Sequence, residues 1–297
     1  MTKKWRKIWL VLSFALCFVF SSTAFAENAS LNISPDITKL EISAGEIIKN
    51  QITVKNNSDE PLKVKIYTFP YIIKNEDYEL EFNEAGKNDS NKIVDWVTFK
   101  NEVGNYEKEL FIELSPNEER AISYHIDFPE DIENEQRCFI FAESSLNEKT
   151  SVRVASTLIA SQKNKTPNSK VEDLNLNHIS EGKISPEFYV INTGEKMSEI
   201  SSTLSIKTLF DKTLYSEERQ NLVFPSMNRK IDFKWKETPV FGFLKVELKL
   251  KIDGEEQEFS QIIFLMPVFM KVLIIFLLTI IIFMLIIRIR KNLKQKV

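Results

Sequence analysis

Residues that could do covalent or metal chemistry are scarce in this sequence. It has two histidines, His125 and His178, and two cysteines, Cys17 and Cys138. Cys17 lies in the predicted signal peptide described below, so the mature chain keeps one cysteine beside the two histidines, too few for the His and Cys ligand sets of zinc sites. We also expect no Cys-His catalysis. All seven glycines stand singly, so no glycine-rich phosphate loop is present, and neither histidine accompanies a Gly-x-Ser-x-Gly elbow. The sequence therefore predicts a protein without enzymatic activity, cofactor or metal.

Carboxylates and aromatic rings are the abundant functional groups. With 42 Asp and Glu residues, paired acids arise by chance, so a glycan hydrolase built on such a pair is the weakest functional alternative. The acidic turn 130–135 lacks the spacing and the glycine of a calcium loop. Tyr67, Phe69 and Tyr71 alternate along one predicted strand. Such a row either binds a glycan or a protein or fills a sandwich core, and we expect the core.

The two ends of the chain have the composition of targeting segments. Residues 1–26 combine a basic start, an apolar stretch and the small-residue cleavage site Ala24-Phe25-Ala26, as in a signal peptide. Residues 267–287 are predicted to form a transmembrane helix around the apolar run Val272 to Ile287, followed by a basic tail, 288–297. Basic residues accumulate on the cytoplasmic side of a span. We therefore expect a single-pass plasma-membrane protein with an extracytoplasmic N-terminus and a cytoplasmic C-terminus.

The region between these ends is predicted to be all-β. Apolar and polar residues alternate with a period of two in short runs, which are separated by turns rich in Asn, Asp, Gly and Pro. The polar segment 163–170 predicts a linker between a first immunoglobulin-like β-sandwich, 27–162, and a second, 171–266. The predicted strands include Ile93 to Phe99 in the first domain and the two-residue strand Leu214 to Tyr215 in the second.

The composition of the ectodomain limits its stabilising bonds and its partners. After signal cleavage only Cys138 remains, so no intramolecular disulfide can form, and its apolar neighbours predict a buried, unreactive thiol. All 42 acidic residues lie between Glu27 and Met270, whereas both ends of the chain are basic. The acidic ectodomain is unsuited to nucleic acid.

An asparagine-containing turn follows the second predicted strand of each domain. The two turns are Lys55-Asn56-Asn57-Ser58 and Ile191-Asn192-Thr193-Gly194. Outside these turns the two domains are not close copies of each other. The turns therefore predict a repeat of architecture rather than of sequence.

Several further motifs resemble one family of surface proteins. They are Ile42-Ser43-Ala44-Gly45-Glu46, Ile52-Thr53-Val54-Lys55-Asn56, Leu114-Ser115-Pro116-Asn117-Glu118, Phe224-Pro225-Ser226-Met227, Phe241-Gly242-Phe243 and Met266-Pro267. With these motifs the sequence resembles the WxL-interacting cell-surface proteins. That resemblance implies two immunoglobulin-like domains, the first contacting peptidoglycan and the second binding host or partner proteins. The sequence departs from the family at Gln136-Arg137-Cys138, where the family has a glycine pair, which leaves the ligand of the first domain open.

The strand Val152 to Ala160 is the predicted partner-binding segment. It contains one charge, Arg153, and no proline, although exposed edge strands are normally guarded by charges or prolines. At a sheet edge, its free N–H and C=O groups could accept a strand from a partner. If the strand is paired on both sides, its low charge needs no such explanation. The candidate partner-binding residues are Val152, Val154, Ala155, Thr157 and Leu158.

Two functional hypotheses follow from these predictions. The favoured one is a non-enzymatic, membrane-anchored extracytoplasmic binding or adhesion protein that contacts a cell-wall or surface-protein partner. The alternative is a pilus-chaperone-like module that binds a secreted client by strand addition.

Overall fold

The computed structural model describes residues 31–82, 88–132, 134–147, 150–176, 179–180, 183–235, 242–266 and 268–294. The predicted signal peptide, 1–26, lies outside these residues. The strands of the first domain are β1 (Leu31–Ser34), β2 (Ile37–Ile42), β3 (Ile47–Asn56), β4 (Leu62–Phe69), β5 (Ile72–Ile73), β6 (Leu80–Glu81), β7 (Val97–Lys100), β8 (Tyr106–Glu107), β9 (Glu109–Leu114), β10 (Glu119–Asp127), β11 (Gln136–Asn147) and β12 (Thr150–Gln162).

The first domain is a β-sandwich of two five-stranded sheets. One sheet has the strand order β1-β3-β10-β7-β8, and the other has the order β2-β12-β11-β4-β9. Along β10, Ile122, Tyr124 and Ile126 are buried, whereas the residues between them are more exposed, as the period of two predicts. Cys138 is fully buried in the core between the sheets, so its predicted structural role is confirmed.

The second domain is a smaller sandwich. Its strands are β13 (Ser169–Asn175), β14 (Ile179–Ser180), β15 (Lys183–Ile184), β16 (Glu187–Asn192), β17 (Ser198–Thr208), β18 (Thr213–Val223), β19 (Met227–Asp232), β20 (Gly242–Ile252) and β21 (Glu255–Leu265). A three-stranded sheet, β13-β16-β19, faces a four-stranded sheet, β18-β17-β20-β21, across a second hydrophobic core. The predicted fold class, two immunoglobulin-like sandwiches in tandem and one C-terminal apolar helix, is confirmed.

Three details differ from the predicted strands. Residues Lys92–Asp95 form a 3-10 turn, which is closed by the Trp96 N–H donating to the carbonyl of Ile93 and places the adjacent side chains of Ile93 and Val94 in the same core. Strand β18 is eleven residues long instead of two, and its polar sequence suits an edge strand. Strand β1 was not predicted, and it pairs antiparallel with β3.

The two asparagine turns have the same internal structure. Asn56 and Asn192 are both fully buried at the last position of a strand. In the first domain the Asn56 Oδ1 accepts the N–H of Ser58 at 2.9 Å, and its Nδ2 donates to the carbonyl of Glu60 at 2.8 Å. In the second domain the Asn192 Oδ1 accepts the N–H of Gly194 at 2.9 Å, and its Nδ2 donates to the carbonyl of Lys196 at 2.8 Å. The predicted architectural repeat therefore extends to individual hydrogen bonds.

The linker between the domains is fixed to the second asparagine turn. The N–H of Asn168 donates to Asn192 Oδ1 at 3.2 Å, and the N–H of Thr193 donates to the carbonyl of Asn168 at 2.9 Å. Gly194 lies so close to the linker that a Cβ there would be 2.4 Å from the backbone nitrogen of Asn168 and 2.6 Å from the carbonyl oxygen of Thr166. Because Gly194 has no side chain, the backbone of the linker can pack directly against the turn.

A small apolar interface joins the two domains beside the linker. Ile159 of β12 is buried in a cluster with Met197 and Phe224 of the second domain. The Tyr78 ring stacks on Phe224, with a centroid distance of 6.1 Å, and the Tyr78 hydroxyl accepts the Phe224 N–H at 3.0 Å. Backbone hydrogen bonding also crosses the boundary, because the Lys230 N–H donates to the carbonyl of Glu76 at 2.8 Å.

Glu135 is a buried carboxylate within this interface. Its Oε2 accepts the hydroxyl of Ser161 at 2.6 Å and the backbone N–H of Met197 at 2.8 Å. Its Oε1 has no hydrogen-bond partner among the described residues. Burial raises the pKa of Glu135 above its ordinary value, and the two hydrogen bonds together with Arg137 and Lys196 oppose that rise. The carboxylate therefore ties the first domain to the backbone of the second.

The chain ends in helix α1 (Val268–Lys294), which includes the predicted span and most of the basic tail. Its segment Phe269–Arg288 has a mean hydropathy of 3.1, and none of that segment is buried against the rest of the protein. This segment is long and apolar enough to cross a membrane. Strand β21 ends at Leu265, so the helix begins three residues after the last strand.

Candidate partner-binding edge

Strand β12 lies at a sheet edge along only half of its length. On one side it pairs antiparallel with β11 from Gln136↔Ala160 to Asn147↔Thr150. On the other side it pairs in parallel with β2, but only from Thr157↔Ile37 to Gln162↔Ile42. No described strand pairs with residues 150–156 on that second side. We call residues Ser151 to Ala155 the open half-edge.

Hydrogen bonding shows which backbone groups point out of the open half-edge. The N–H of Thr157 donates to the carbonyl of Asp36 at 2.8 Å, so the backbone of Thr157 faces away from β11. Successive residues of a strand present their N–H and C=O groups to opposite sides. The same outward direction therefore applies to Ala155, Arg153 and Ser151.

The open half-edge ends where β1 and β2 meet. The Ser156 hydroxyl donates to the carbonyl of Pro35 at 2.6 Å, so the segment between β1 and β2 contacts β12 at this residue. Beyond Ser156, β2 covers the remaining edge up to Gln162. The exposed part is therefore limited to the N-terminal half of β12.

The side chains of the open half-edge alternate between the core and the outer face. Val152 and Val154 are half-buried against the core of the first sandwich. Ser151, Arg153 and Ala155 are exposed on the opposite face. A strand added at this edge would contact the flanks of the two valines and the outward backbone groups of the other three residues.

Arg153 is held by charge and aromatic contacts on the outer face. Its Nη2 lies 2.9 Å from Glu143 Oε2, and its guanidinium lies 5.0 Å from the centroid of the Phe141 ring. The Tyr67 hydroxyl also donates to Glu143 Oε2, at 2.7 Å. The Tyr67 hydrogen bond, followed by the positive charge of Arg153, lowers the pKa of Glu143. The one charged side chain on the open half-edge is therefore neutralised by its neighbour.

The predicted aromatic row lies beside this ion pair and outside the main core. Tyr67, Phe69 and Tyr71 pack on Phe139 and Phe141 in a separate cluster on the outer face of the sheet. Phe82 covers the cluster at centroid distances of 5.8 Å from Phe139 and 6.1 Å from Phe141. Our expectation that the row fills the sandwich core was wrong. The row instead forms a small second core on the other face of the same sheet.

The structure divides the five predicted partner-binding residues into two groups. Val152, Val154 and Ala155 belong to the open half-edge, where a partner strand has access. Thr157 pairs with β2, and Leu158 is fully buried, so neither is available to a partner in this conformation. The sequence left open whether β12 is an edge or is paired on both sides, and both descriptions apply to different halves of the strand. The Arg153–Glu143 pair was not predicted, since these residues are ten positions apart and become neighbours only through the β11–β12 register.

A concave feature lies on the same sheet as the open half-edge. A groove of about 830 Å³ lies over β4 and β9, and the charged side chains that line it are of both signs and include Lys63, Lys65 and Glu113. In the part of the chain that the structure describes, no group of His, Cys, Asp and Glu side chains has the geometry to hold a metal ion.

Several solved structures are similar to this chain at low sequence identity. The class 5 fimbriae chaperone CfaA is 13% identical, with a TM-score of 0.40, and the match covers 80% of this chain and 100% of that one. The CsuC-CsuE chaperone-tip adhesion subunit complex of Acinetobacter baumannii is 13% identical, with a TM-score of 0.42 and coverages of 78% and 98%. The periplasmic chaperone SfaE is 10% identical, with a TM-score of 0.32 and coverages of 80% and 100%.

These similarities do not identify a family. All three TM-scores lie below 0.5, so we draw nothing about function from them. No protein-family model matches the sequence, and no curated protein matches it in a search by sequence. The resemblance to WxL-interacting proteins therefore stays a prediction.

Proposed function

We propose that this protein is a non-enzymatic, membrane-anchored binding protein of the cell envelope, which takes an extended strand of a partner protein onto the open half-edge. Helix α1 anchors it, with the basic residues after Ile287 in the cytoplasm. The two sandwiches are then extracytoplasmic. The anchoring and the partner are separate parts of the proposal, and each has its own test.

One observation carries the choice of the open half-edge. The other edge strands of six or more residues, β2, β9, β13, β18, β19 and β21, each carry two or more charged residues. Only the second half of β21 lacks charge, and that half leads directly toward helix α1. The open half-edge carries only Arg153, whose charge is paired with Glu143. Its outward N–H and C=O groups form a row that matches an incoming strand. A partner strand would gain backbone hydrogen bonds there without an unpaired charge opposing it.

Site-specific photo-crosslinking of the full chain in its membrane tests the partner site. A photoreactive amino acid at Ser151 should crosslink to a discrete envelope protein. The matched control is the same amino acid at Glu109, on the guarded edge strand β9, which should give no such product. Equal crosslinking at both positions, or none at Ser151, would overturn the proposed site.

Proline substitutions then test whether capture uses the backbone. The Ala155 N–H points outward, so Ala155→Pro removes one donor from the edge and leaves the β11 pairing intact. It should abolish the crosslink from Ser151 in a folded protein. Val154→Pro instead removes an N–H that faces β11, and it should destabilise the domain. A folded Ala155→Pro variant with an unchanged crosslink contradicts strand addition.

Protease accessibility tests the anchor and its direction. Protease added to intact cells or spheroplasts should remove the two sandwiches and leave a C-terminal tag protected. Protection of the sandwiches, or loss of the tag, would contradict the proposed orientation.

Purified cell-wall sacculi test the peptidoglycan partner that the family resemblance implies. Sacculus binding by wild type that persists in Ala155→Pro would locate a wall site away from the open half-edge.

A further inference from the structure

The membrane-proximal end of the second domain is defined by strand register. Thr208 of β17 pairs with Leu244 of β20, and Leu244 pairs with Ile263 of β21. One residue further toward helix α1 lie Phe243 and its partner Phe264. The tip of the β17–β18 hairpin extends beyond Thr208 in the same direction. The hairpin tip and the start of β20 therefore lie at the end of the sheet from which the chain enters the helix.

This end of the domain carries a group of exposed apolar side chains, which we call the apolar rim. Phe210 is 95% exposed at the hairpin tip. Phe243 and Phe264 are 56% and 43% exposed, and their rings lie 4.7 Å apart. The complete rim consists of Leu209, Phe210, Phe243, Ile262 and Phe264. Large apolar side chains grouped at one end of a domain mark a contact surface rather than an ordinary solvated one.

The hairpin tip that carries Phe210 has a defined backbone. The N–H of Asp211 donates to the carbonyl of Thr208 at 3.0 Å, and the N–H of Thr208 donates to the carbonyl of Lys212 at 2.9 Å. Asp211 has a φ of +59°, in the left-handed region that Asp tolerates in turns. Phe210 is thus held at the outermost point of the tip. The backbone of the tip is already ordered before Phe210 makes a contact.

The position of the rim indicates what it contacts. Phe210 lies about level with Leu265, and helix α1 begins at Val268, three residues further along the chain. At about 3.3 Å per residue, the rim lies within roughly 10 Å of the start of the helix. The polar zone on each side of the hydrocarbon core is about 5 to 8 Å thick. A domain tethered this closely brings its rim to the headgroups of the bilayer that holds the helix.

The charges around the rim suit the same partner. Lys212 follows the tip, and Lys207 and Lys245 flank the rim on the outer face, where both pair with Glu247. Phenylalanine side chains can enter the boundary between headgroups and acyl chains, while lysine stems extend their charges toward the headgroups. We propose that the apolar rim inserts into the outer leaflet and docks the second domain on the membrane. This inference rests on the proposed membrane anchor.

Fluorescence of the full chain in lipid nanodiscs tests this docking. An environment-sensitive NBD label is attached to Phe210→Cys, and lipids carrying a nitroxide on the acyl chain act as quenchers. Cys138 is fully buried, and the wild-type chain labelled in parallel measures any background. The first control is Val103→Cys, because Val103 is an apolar residue that is 86% exposed in a loop of the first domain. The second is Thr279→Cys, which lies within α1 and reports whether the helix is in the bilayer.

We expect a blue-shifted emission at position 210, with at least twofold quenching by a nitroxide on the part of the acyl chain next to the headgroups, and neither effect at position 103. Quenching at 279 without quenching at 210 would overturn the docking and leave the anchor intact. A blue shift at 210 without lipid quenching would mean that the rim meets another protein surface, such as a second copy, and would also overturn it. Absence of quenching at 279 would contradict the anchor and, with it, this inference.

Discussion

The two asparagine turns occupy equivalent places in the two domains but differ in the second donor to the asparagine Oδ1. In both, a buried asparagine ends a strand, accepts the N–H two residues later and donates to the carbonyl four residues later. In the first domain Asn56 Oδ1 also accepts the hydroxyl of Ser58 at 2.6 Å, within the turn. In the second, Asn192 Oδ1 accepts the backbone of the linker at Asn168 instead.

This difference shows how the two domains are joined. The turn in the second domain has exchanged a local side-chain donor for a backbone donor from the linker, and Gly194 makes room for that approach. In the first domain both hydrogen bonds to the asparagine Oδ1 come from within the turn, whereas in the second domain one of them comes from the linker. The linker, which the sequence shows only as a polar stretch, is therefore fixed to the second domain.

The largest expected effects come from removing these asparagines. Asn56→Ala and Asn192→Ala each leave several buried groups without partners, so each should lower the stability of its own domain by about 3 kcal/mol. After signal cleavage each domain holds one tryptophan, Trp96 in the first and Trp235 in the second. Urea unfolding of the full chain in Trp96→Phe and Trp235→Phe backgrounds reports each domain separately.

The matched control for both variants is Asn57→Ala. Asn57 is exposed beside Asn56, so its removal should change stability by about 0.5 kcal/mol or less. If Asn56→Ala lowers the stability of the second domain, which contains Trp235, as much as that of the first, then each turn does not stabilise only its own domain.

A smaller effect is expected at Gly194, where only the second turn meets the linker. Gly194→Ala would force a Cβ against the backbone of Asn168 and Thr166, which should cost about 2 kcal/mol and displace the linker. Tryptic cleavage after Lys163 and Lys165 should become faster. Gly104→Ala is the control, because its Cβ would meet nothing within 4 Å, although its φ of +99° also strains an alanine. Equal cleavage rates in the two variants would show that Gly194 does not hold the linker.

The sequence predicted the architecture well because alternation and turn residues are local signals. The two sandwiches, the apolar helix and both asparagine turns were visible in this way. Only two residues of strand β18 were predicted, because its polar run, Ser216 to Asn221, lies on an edge where solvent and polar contacts such as the Gln220–Ser201 hydrogen bond replace apolar packing. The Lys92–Asp95 turn was missed because two adjacent apolar residues fit both a strand and a buried turn.

The candidate site was less predictable, since a strand's neighbours depend on the whole sheet. Low charge drew attention to β12, yet only the crossing of the chain from β1 to β2 determines that the edge is covered from Thr157 onward. The buried carboxylate of Glu135 could not be foreseen either. It lies in an acidic stretch that reads as a surface turn, and its partner Met197 is 62 residues away.

The domain junction should also depend on pH through Glu135. Its pKa is raised by burial, so the folded protein keeps this proton to a higher pH than the unfolded chain does. The stability that this group contributes is therefore largest below the ordinary carboxyl pKa, and it falls as the pH rises through the folded pKa. Glu135→Gln removes this titration. The stability of the variant relative to wild type should rise across that window and be constant on either side, whereas a pH-independent difference contradicts a raised pKa.

The smallest effect is expected from the exposed ion pair across the junction. Lys39 Nζ lies 2.6 Å from Glu199 Oε1, but both side chains are largely solvated, so Lys39→Ala should cost about 0.5 kcal/mol or less. The comparison is Ile159→Val, which removes one buried methyl group facing Met197 and Phe224 and should cost about 1 kcal/mol. Urea unfolding and tryptic cleavage of the linker measure both. A larger loss for Lys39→Ala than for Ile159→Val would mean that surface charge, rather than buried contact, holds the domains together.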